Sequence, residues 1–240
     1  MAGMARAVVV LVALALAACG ADPTPTYRYR VTVEVETPEG LRTGSSVIEV
    51  RQKLVRPGSS PGNLAIERRV RGEAVAVDLS GGRTLFALLR SEDERDWAGN
   101  VMQYLAPEIA GEKFNEKFDN VLLIEGEHEL PRHWPPFAGG LVLSGYPILV
   151  TFDDLADPTS VALVDPDDLA ATFGEGVSLK RITVQMTDDP VTAGIEKRLQ
   201  WMDRYRHNHF DGTSTVSEDM TTDDLRAHLS SGAFSTEFAR

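Results

Sequence analysis

The chain has 240 residues, 42% of them apolar, with 24 basic against 36 acidic side chains and a formal net charge of −12. That length and apolar content suffice for one large domain or two small ones. A surface so acidic repels nucleic acid and anionic lipid headgroups, which excludes nucleic-acid binding as an expected function, and a lone cysteine excludes a disulfide within the chain.

The first element in chain order is an address. Residues 1–6 carry one positive charge, Arg6, and residues 7–18 are wholly apolar, which is the layout of a secretory signal peptide and too short to span a bilayer. The run ends in Leu16-Ala17-Ala18-Cys19, which resembles the lipobox of bacterial lipoproteins. The resemblance implies cleavage after Ala18 and lipid attachment at Cys19, where a diacylglyceryl group and an acyl chain such as palmitate make Cys19 residue one of the mature protein. One acyl chain anchors only marginally, whereas two or more anchor stably. Gly20, in the place where aspartate would retain a lipoprotein in the inner membrane, resembles an outer-membrane sorting signal. The expected location is therefore the inner leaflet of the outer membrane, facing the periplasm. Loss of residues 1–18 would leave 222 residues with 23 basic against 36 acidic side chains, a net charge of −13. Residues 19–26 form a proline-broken tether that reaches roughly 20–25 Å at about 3.3 Å per residue.

Residues 27–240 read as a single α+β domain with sub-blocks 27–90 and 147–206. Tyr27, Tyr29, Val31, Val33 and Val35 alternate with polar residues, the period of a half-buried strand over 27–37. Pro38-Glu39-Gly40 supplies a turn, and 41–52 reads as the returning strand. Further strands over 65–71, 74–79 and 84–90, punctuated at Gly72 and at Gly81-Gly82, predict an antiparallel β-meander across 27–90. Arg68, Arg69 and Arg71 form the one basic cluster; 69 and 71 share a strand face and read as a solvated surface.

Ser91 is placed to cap a helix with Trp97, Val101, Tyr104 and Leu105 on one face, ending before Pro107. Residues 130–137 form a proline-locked connector. Strands are expected over 147–152 and 161–164, then a short helix over 165–174 capped by Asp165 with Pro166 at its first position, then a strand over 177–187. Asp189-Pro190 repeats the device and predicts a helix with Val191, Ile195, Leu199 and Met202 on one face. A last short helix starts at Thr221 or Thr222 and stops at Gly232, and residues 233–240 either dock on the domain or fray. The fold class is thus α+β, an antiparallel β-meander sheet packed by two or three short helices.

Motifs for chemistry are sparse. Gly58-Ser59-Ser60-Pro61-Gly62 matches the nucleophile elbow of the α/β-hydrolases, but Pro61 has no N–H to offer an oxyanion hole and the segment joins two antiparallel strands. No phosphate-binding glycine motif occurs. The acidic clusters near 165 and 189 read as helix caps, since no Asp-x-Asp-x-Asp-Gly calcium loop is present. The best chemical candidate is His207-Asn208-His209-Phe210-Asp211-Gly212, in which His207 and His209 on an extended segment would point the same way and ligate zinc with Asp211. It resembles the opening of the HxHxDH motif of metallo-β-lactamase-fold hydrolases, with Gly212 in place of the final histidine. His128, His133 and His228 are the remaining histidines, with nothing in the sequence to bring them near.

Residues 31–40 with 45–50, and 165–174 with 180–192, resemble a group of uncharacterised proteobacterial lipoproteins and exported proteins, a resemblance that implies location and class only. The expectation is a non-enzymatic, membrane-anchored lipoprotein with no cofactor, no metal and no catalytic residue, partnered by its membrane through lipidated Cys19. It would bind either an envelope protein or an apolar ligand on the concave side of its sheet. The alternative is a zinc-dependent periplasmic hydrolase using His207, His209 and Asp211. A structural envelope component is a third class, unsupported by any repeat or coiled coil.

Overall fold

The structure, a computed structural model, describes residues 25–55, 65–113, 116–137, 139–214 and 224–239. Ala18, Cys19, most of the tether, the 58–62 loop and the expected cap at Thr221 or Thr222 lie outside these residues. The strands are β1 (Thr26–Glu36), β2 (Arg42–Val55), β3 (Ala65–Arg71), β4 (Val75–Asp78), β5 (Thr84–Ala87), β6 (Glu127–Glu129), β7 (Leu149–Phe152), β8 (Val161–Leu163) and β9 (Ser178–Met186). Two α-helices accompany them, α1 (Trp97–Leu105) and α2 (Leu169–Phe173). The α+β class with an antiparallel meander stands, and no helix among the described residues is long and apolar enough to cross a membrane.

The meander divides in two. A five-stranded sheet runs β3-β2-β1-β9-β6, and a four-stranded sheet runs β4-β5-β7-β8. The chain crosses between them after β3, so β4 and β5 belong to the second sheet. What allows the sheets to approach is Gly44 on β2, since a Cβ there would lie 2.2 Å from the carbonyl oxygen of Ala76 on β4. At that point backbone packs on backbone.

The period-two pattern of β1 has the predicted consequence. Tyr27, Tyr29, Val31, Val33 and Val35 are all buried and join Ile48 and Val50 of β2 in one core, closed by Val75, Val77, Leu85 and Ala87 of the second sheet. Trp97, Val101 and Met102 of α1 fill the rest. The opposite face of the second sheet carries Phe86, Leu88, Val150 and Phe152 into a second core. β5 is therefore buried on both faces, as expected of a strand that forms the middle of three layers.

The third layer corrects the sequence-based helix over 189–206. Only Ile195–Lys197 forms a single 3-10 turn, and irregular turns follow it. Gly194, at φ +119°, stands inside the predicted stripe in a conformation that an α-helix does not use, so the helix cannot propagate from Pro190. The apolar spacing still serves burial: Ile195, Leu199, Trp201 and Met202 line the second core together with Phe210, Phe234 and Phe238. Trp201 lies 5.0 Å from Phe210 and 5.7 Å from Phe234, ring centroid to centroid, with interplanar angles of 80° and 90°. Such edge-to-face pairs add about 0.5–1.5 kcal/mol each beyond the area they bury.

Two caps also move. Asp168, not Asp165, caps α2 by accepting from Ala171 N–H at 3.1 Å, while Asp165 accepts from Asp167 N–H at 2.9 Å in the preceding turn. Ser91 accepts from Glu94 N–H at 3.0 Å, which closes a turn ahead of α1. The C-terminal segment docks: Phe234 O accepts from Ala74 N–H at 2.7 Å, and Thr236 N–H donates to Gly72 O at 3.1 Å.

Candidate functional site

The strand register assembles arginines at one end of the five-stranded sheet. Thr26 on β1 stands opposite Arg51 on β2, and Arg51 stands opposite Arg69 on β3. In the next row on the same face, Arg28, Glu49 and Arg71 line up in the same way. Residues directly opposite share a face with Cβ atoms about 5 Å apart, so the rows set Arg28, Arg51 and Arg71 around the Glu49 carboxylate, while Arg69 pairs with Glu67 on its own strand at 3.3 Å. Arg28 Nε and Arg51 Nε donate to Glu49 at 2.9 and 3.0 Å, and Arg71 lies 3.7 Å from it. The Glu49 side chain is 3% exposed. Burial opposes its ionisation, but the bonds from Arg28 and Arg51 outweigh that penalty and hold its carboxyl below the usual carboxylate range.

Arg68 takes the other face of β3. It donates to Gln52 Oε1 at 3.2 Å and to Asn100 Oδ1 of α1 at 2.6 Å, and its guanidinium lies 5.7 Å from the Phe118 ring centre. β3 is an edge strand, so both faces of it meet the open space beside the sheet.

That space is a cleft of about 960 Å³, walled by Arg51 and residues 68–71, by the start of α1 from Arg95 to Gly99, and by Thr236 and Glu237 of the C-terminal segment. An adjoining opening of about 370 Å³ shares Leu89, Arg95, Gly232 and Ala239 with it and adds Arg90, Arg206 and His228. Arg90 donates to His228 O at 3.2 Å, and Arg206 donates to Glu237 O at 2.7 Å while lying 4.6 Å from the Phe238 ring centre. Together the two openings hold seven arginines against Asp96 and Glu237. Glu49 pairs with Arg51 and Arg71, Glu67 with Arg69 and Asp203 with Arg206, so the seven arginines meet five carboxylates and leave a local excess of positive charge in a chain with 36 acids and 24 bases. Chemically, the planar guanidinium forks suit phosphate or carboxylate groups.

Sequence reasoning singled out Arg68, Arg69 and Arg71 and read the face shared by 69 and 71 as solvated, and both of those side chains are exposed. Arg51 was reachable from the sequence, because a correct hairpin register puts it across from Arg69. Arg90, Arg95 and Arg206 were not, since only the docking of the C-terminal segment brings them in.

The histidine segment builds something else. Residues 207–214 form a turn and not an extended strand, so His207 is exposed while His209 is buried. Asp211 accepts from Thr213 N–H at 2.8 Å and from Thr213 Oγ1–H at 2.7 Å, and these bonds hold its pKa down. His209 Nδ1 lies 3.2 Å from the same Thr213 hydroxyl. His128 contacts Glu125 O at 2.9 Å, and His133 bridges to Ser144. Among the described residues, no group of three His, Cys, Asp or Glu side chains is arranged to hold a metal ion. The inner face of the five-stranded sheet, the place for an apolar ligand, is filled by α1 and the second sheet.

Compared with known protein families, characterised proteins and solved structures, the chain matches none.

Proposed function

We propose that the chain is a lipid-anchored protein of the bacterial envelope that works by binding, with the arginine cleft as the seat of an anionic ligand bearing phosphate or carboxylate groups. Cys19 holds it at the inner leaflet of the outer membrane, facing the periplasm; the lipobox and signal peptide support that address. The observation that carries the binding role is the collection of seven arginines from four separate segments of an acidic chain around two adjoining openings. Scattered cations on a solvated surface need no such convergence. The guanidinium groups that line both openings are donors that recognise negative charge.

Calorimetric titration of the chain from Gly20 onward with pyrophosphate tests the cleft. Binding should weaken as salt is raised and should be lost in Arg69→Gln, Arg71→Gln, which leaves Glu49 its bonds from Arg28 and Arg51. Heat release unchanged in that variant, or absent in the wild type, would sink the assignment.

A further inference from the structure

We infer that the arginine cleft docks on the anionic phospholipid headgroups of the very membrane to which the chain is tethered. The inference rests on the lipid-anchor reading and adds an orientation to it.

Two independent observations converge. The first is where the tether enters the fold. Thr26 opens β1, and Arg51 and Arg69 follow it across the sheet in a single row. Strands lie about 4.8 Å apart, so the cleft rim is roughly 10 Å from the point where the tether joins. From Cys19 to Thr26 the chain extends no more than roughly 25 Å. A lipid on Cys19 therefore keeps this end of the sheet within reach of the surface, whichever way the domain turns.

The second is the polarity of the sheet along its strands. β1 carries Arg28 and Arg30 near its start and Glu34 and Glu36 at its end. Arg51, Arg69 and Arg71 reinforce the start through β2 and β3 against Glu49 and Glu67, while Glu34 and Glu36 at the far end are matched by Lys180 and Arg181 of β9. At physiological ionic strength the screening length is about 8 Å, so a bilayer meets the nearby arginines and not the net charge of the molecule. The repulsion expected from composition thus belongs to the molecule as a whole and not to this end of the sheet. An anionic surface turns the arginine end inward, and the tether emerges on that same side.

The test uses the chain from Gly20 onward, which carries no lipid but retains every described residue. Sedimentation with vesicles of phosphatidylethanolamine and phosphatidylglycerol is compared with vesicles of phosphatidylcholine alone, with glycerol 3-phosphate and polyglutamate as soluble competitors. Selective, salt-sensitive binding to the anionic vesicles is expected. It should weaken by about fivefold per arginine, or roughly 30-fold, in Arg69→Gln, Arg71→Gln. Circular dichroism of the variant separates lost binding from lost fold, and a variant that fails to fold is replaced by Arg69→Gln alone, with the fivefold loss expected. Vesicle binding unchanged in a folded variant overturns the docking surface. Binding of pyrophosphate or glycerol 3-phosphate without vesicle binding also overturns it, while the anionic-ligand reading survives. Polyglutamate bound in preference to vesicles overturns it in favour of an acidic polypeptide partner. No binding to any of these removes both readings together.

Discussion

Arg28 donates its Nε–H to Glu49 Oε2 at 2.9 Å, and the acceptor is a carboxylate buried beneath the arginine rows that border the cleft. The pair ties the stability of the sheet to the charge of the site.

Glu49→Gln should therefore act in two directions. Loss of the ionised acceptor is expected to cost about 1–2 kcal/mol of stability at neutral pH, a modest figure because Arg28 and Arg51 are themselves partly exposed. Removal of its negative charge should tighten pyrophosphate binding. The pH dependence has a fixed sign. The folded carboxyl titrates below its ordinary value of 4.5, so its contribution is fully present above that value and is lost as pH falls through the folded pKa. Urea unfolding midpoints of the wild type and the variant should converge on acidification. A constant gap down to strongly acid pH would contradict the assignment.

Gly44→Ala should be severe for a single methyl group. The new Cβ would sit 2.2 Å from the Ala76 carbonyl oxygen, a backbone atom that moves only if the two sheets separate. Overpacking of this kind typically costs 1–3 kcal/mol, and the rigid neighbour puts this site at about 3 kcal/mol. Thermal melting checks it, with Gly40→Ala as a contrast of another kind: there no atom lies within 4 Å of the new Cβ, and only the φ of +110° resists.

Phe234→Ala should cost about 3–5 kcal/mol. The side chain is fully buried, with ring centroids of Phe86, Phe152 and Trp201 between 5.7 and 5.8 Å away. Because Phe234 O also receives the Ala74 N–H, loosening this segment should weaken anion binding as well. Chemical denaturation and pyrophosphate titration on one sample measure both effects.

Cys19→Ala should abolish incorporation of labelled palmitate, and the variant should leave the membrane fraction on washing with high salt, which breaks the electrostatic contact of the cleft, whereas the lipidated wild type should stay. A variant that stays with membranes through the salt wash, beside a wild type that takes up no label, would end the anchor proposal without touching the cleft.

β1 was legible from sequence because one of its faces is buried throughout, so period two is written into Tyr27, Tyr29, Val31, Val33 and Val35. The region after Asp189 misled for an equally definite reason. Ile195, Leu199 and Met202 recur at helical spacing, yet the same spacing serves a coil that dips into an aromatic core, and Gly194 decides between them. Asp165 and Asp168 both have the chemistry of a cap, and only the backbone path selects the second. The cleft was the least visible feature. Arg51 and Arg69 are joined by strand pairing, which sequence patterns suggest, but Arg95 and Arg206 meet through the folding of distant segments, which they do not.

The hydrogen bond between Thr236 and Gly72 spans 164 residues of chain. One wall of the cleft is therefore contributed long after the sheet that forms its floor has emerged. β1 finds β2 and β3 close by in sequence, but its second neighbour is β9 and the closing wall comes later still. The cleft is thus a long-range product of the fold, and a chain cut before residue 232 would keep the arginines of β2 and β3 but lack the wall that closes the pocket over them.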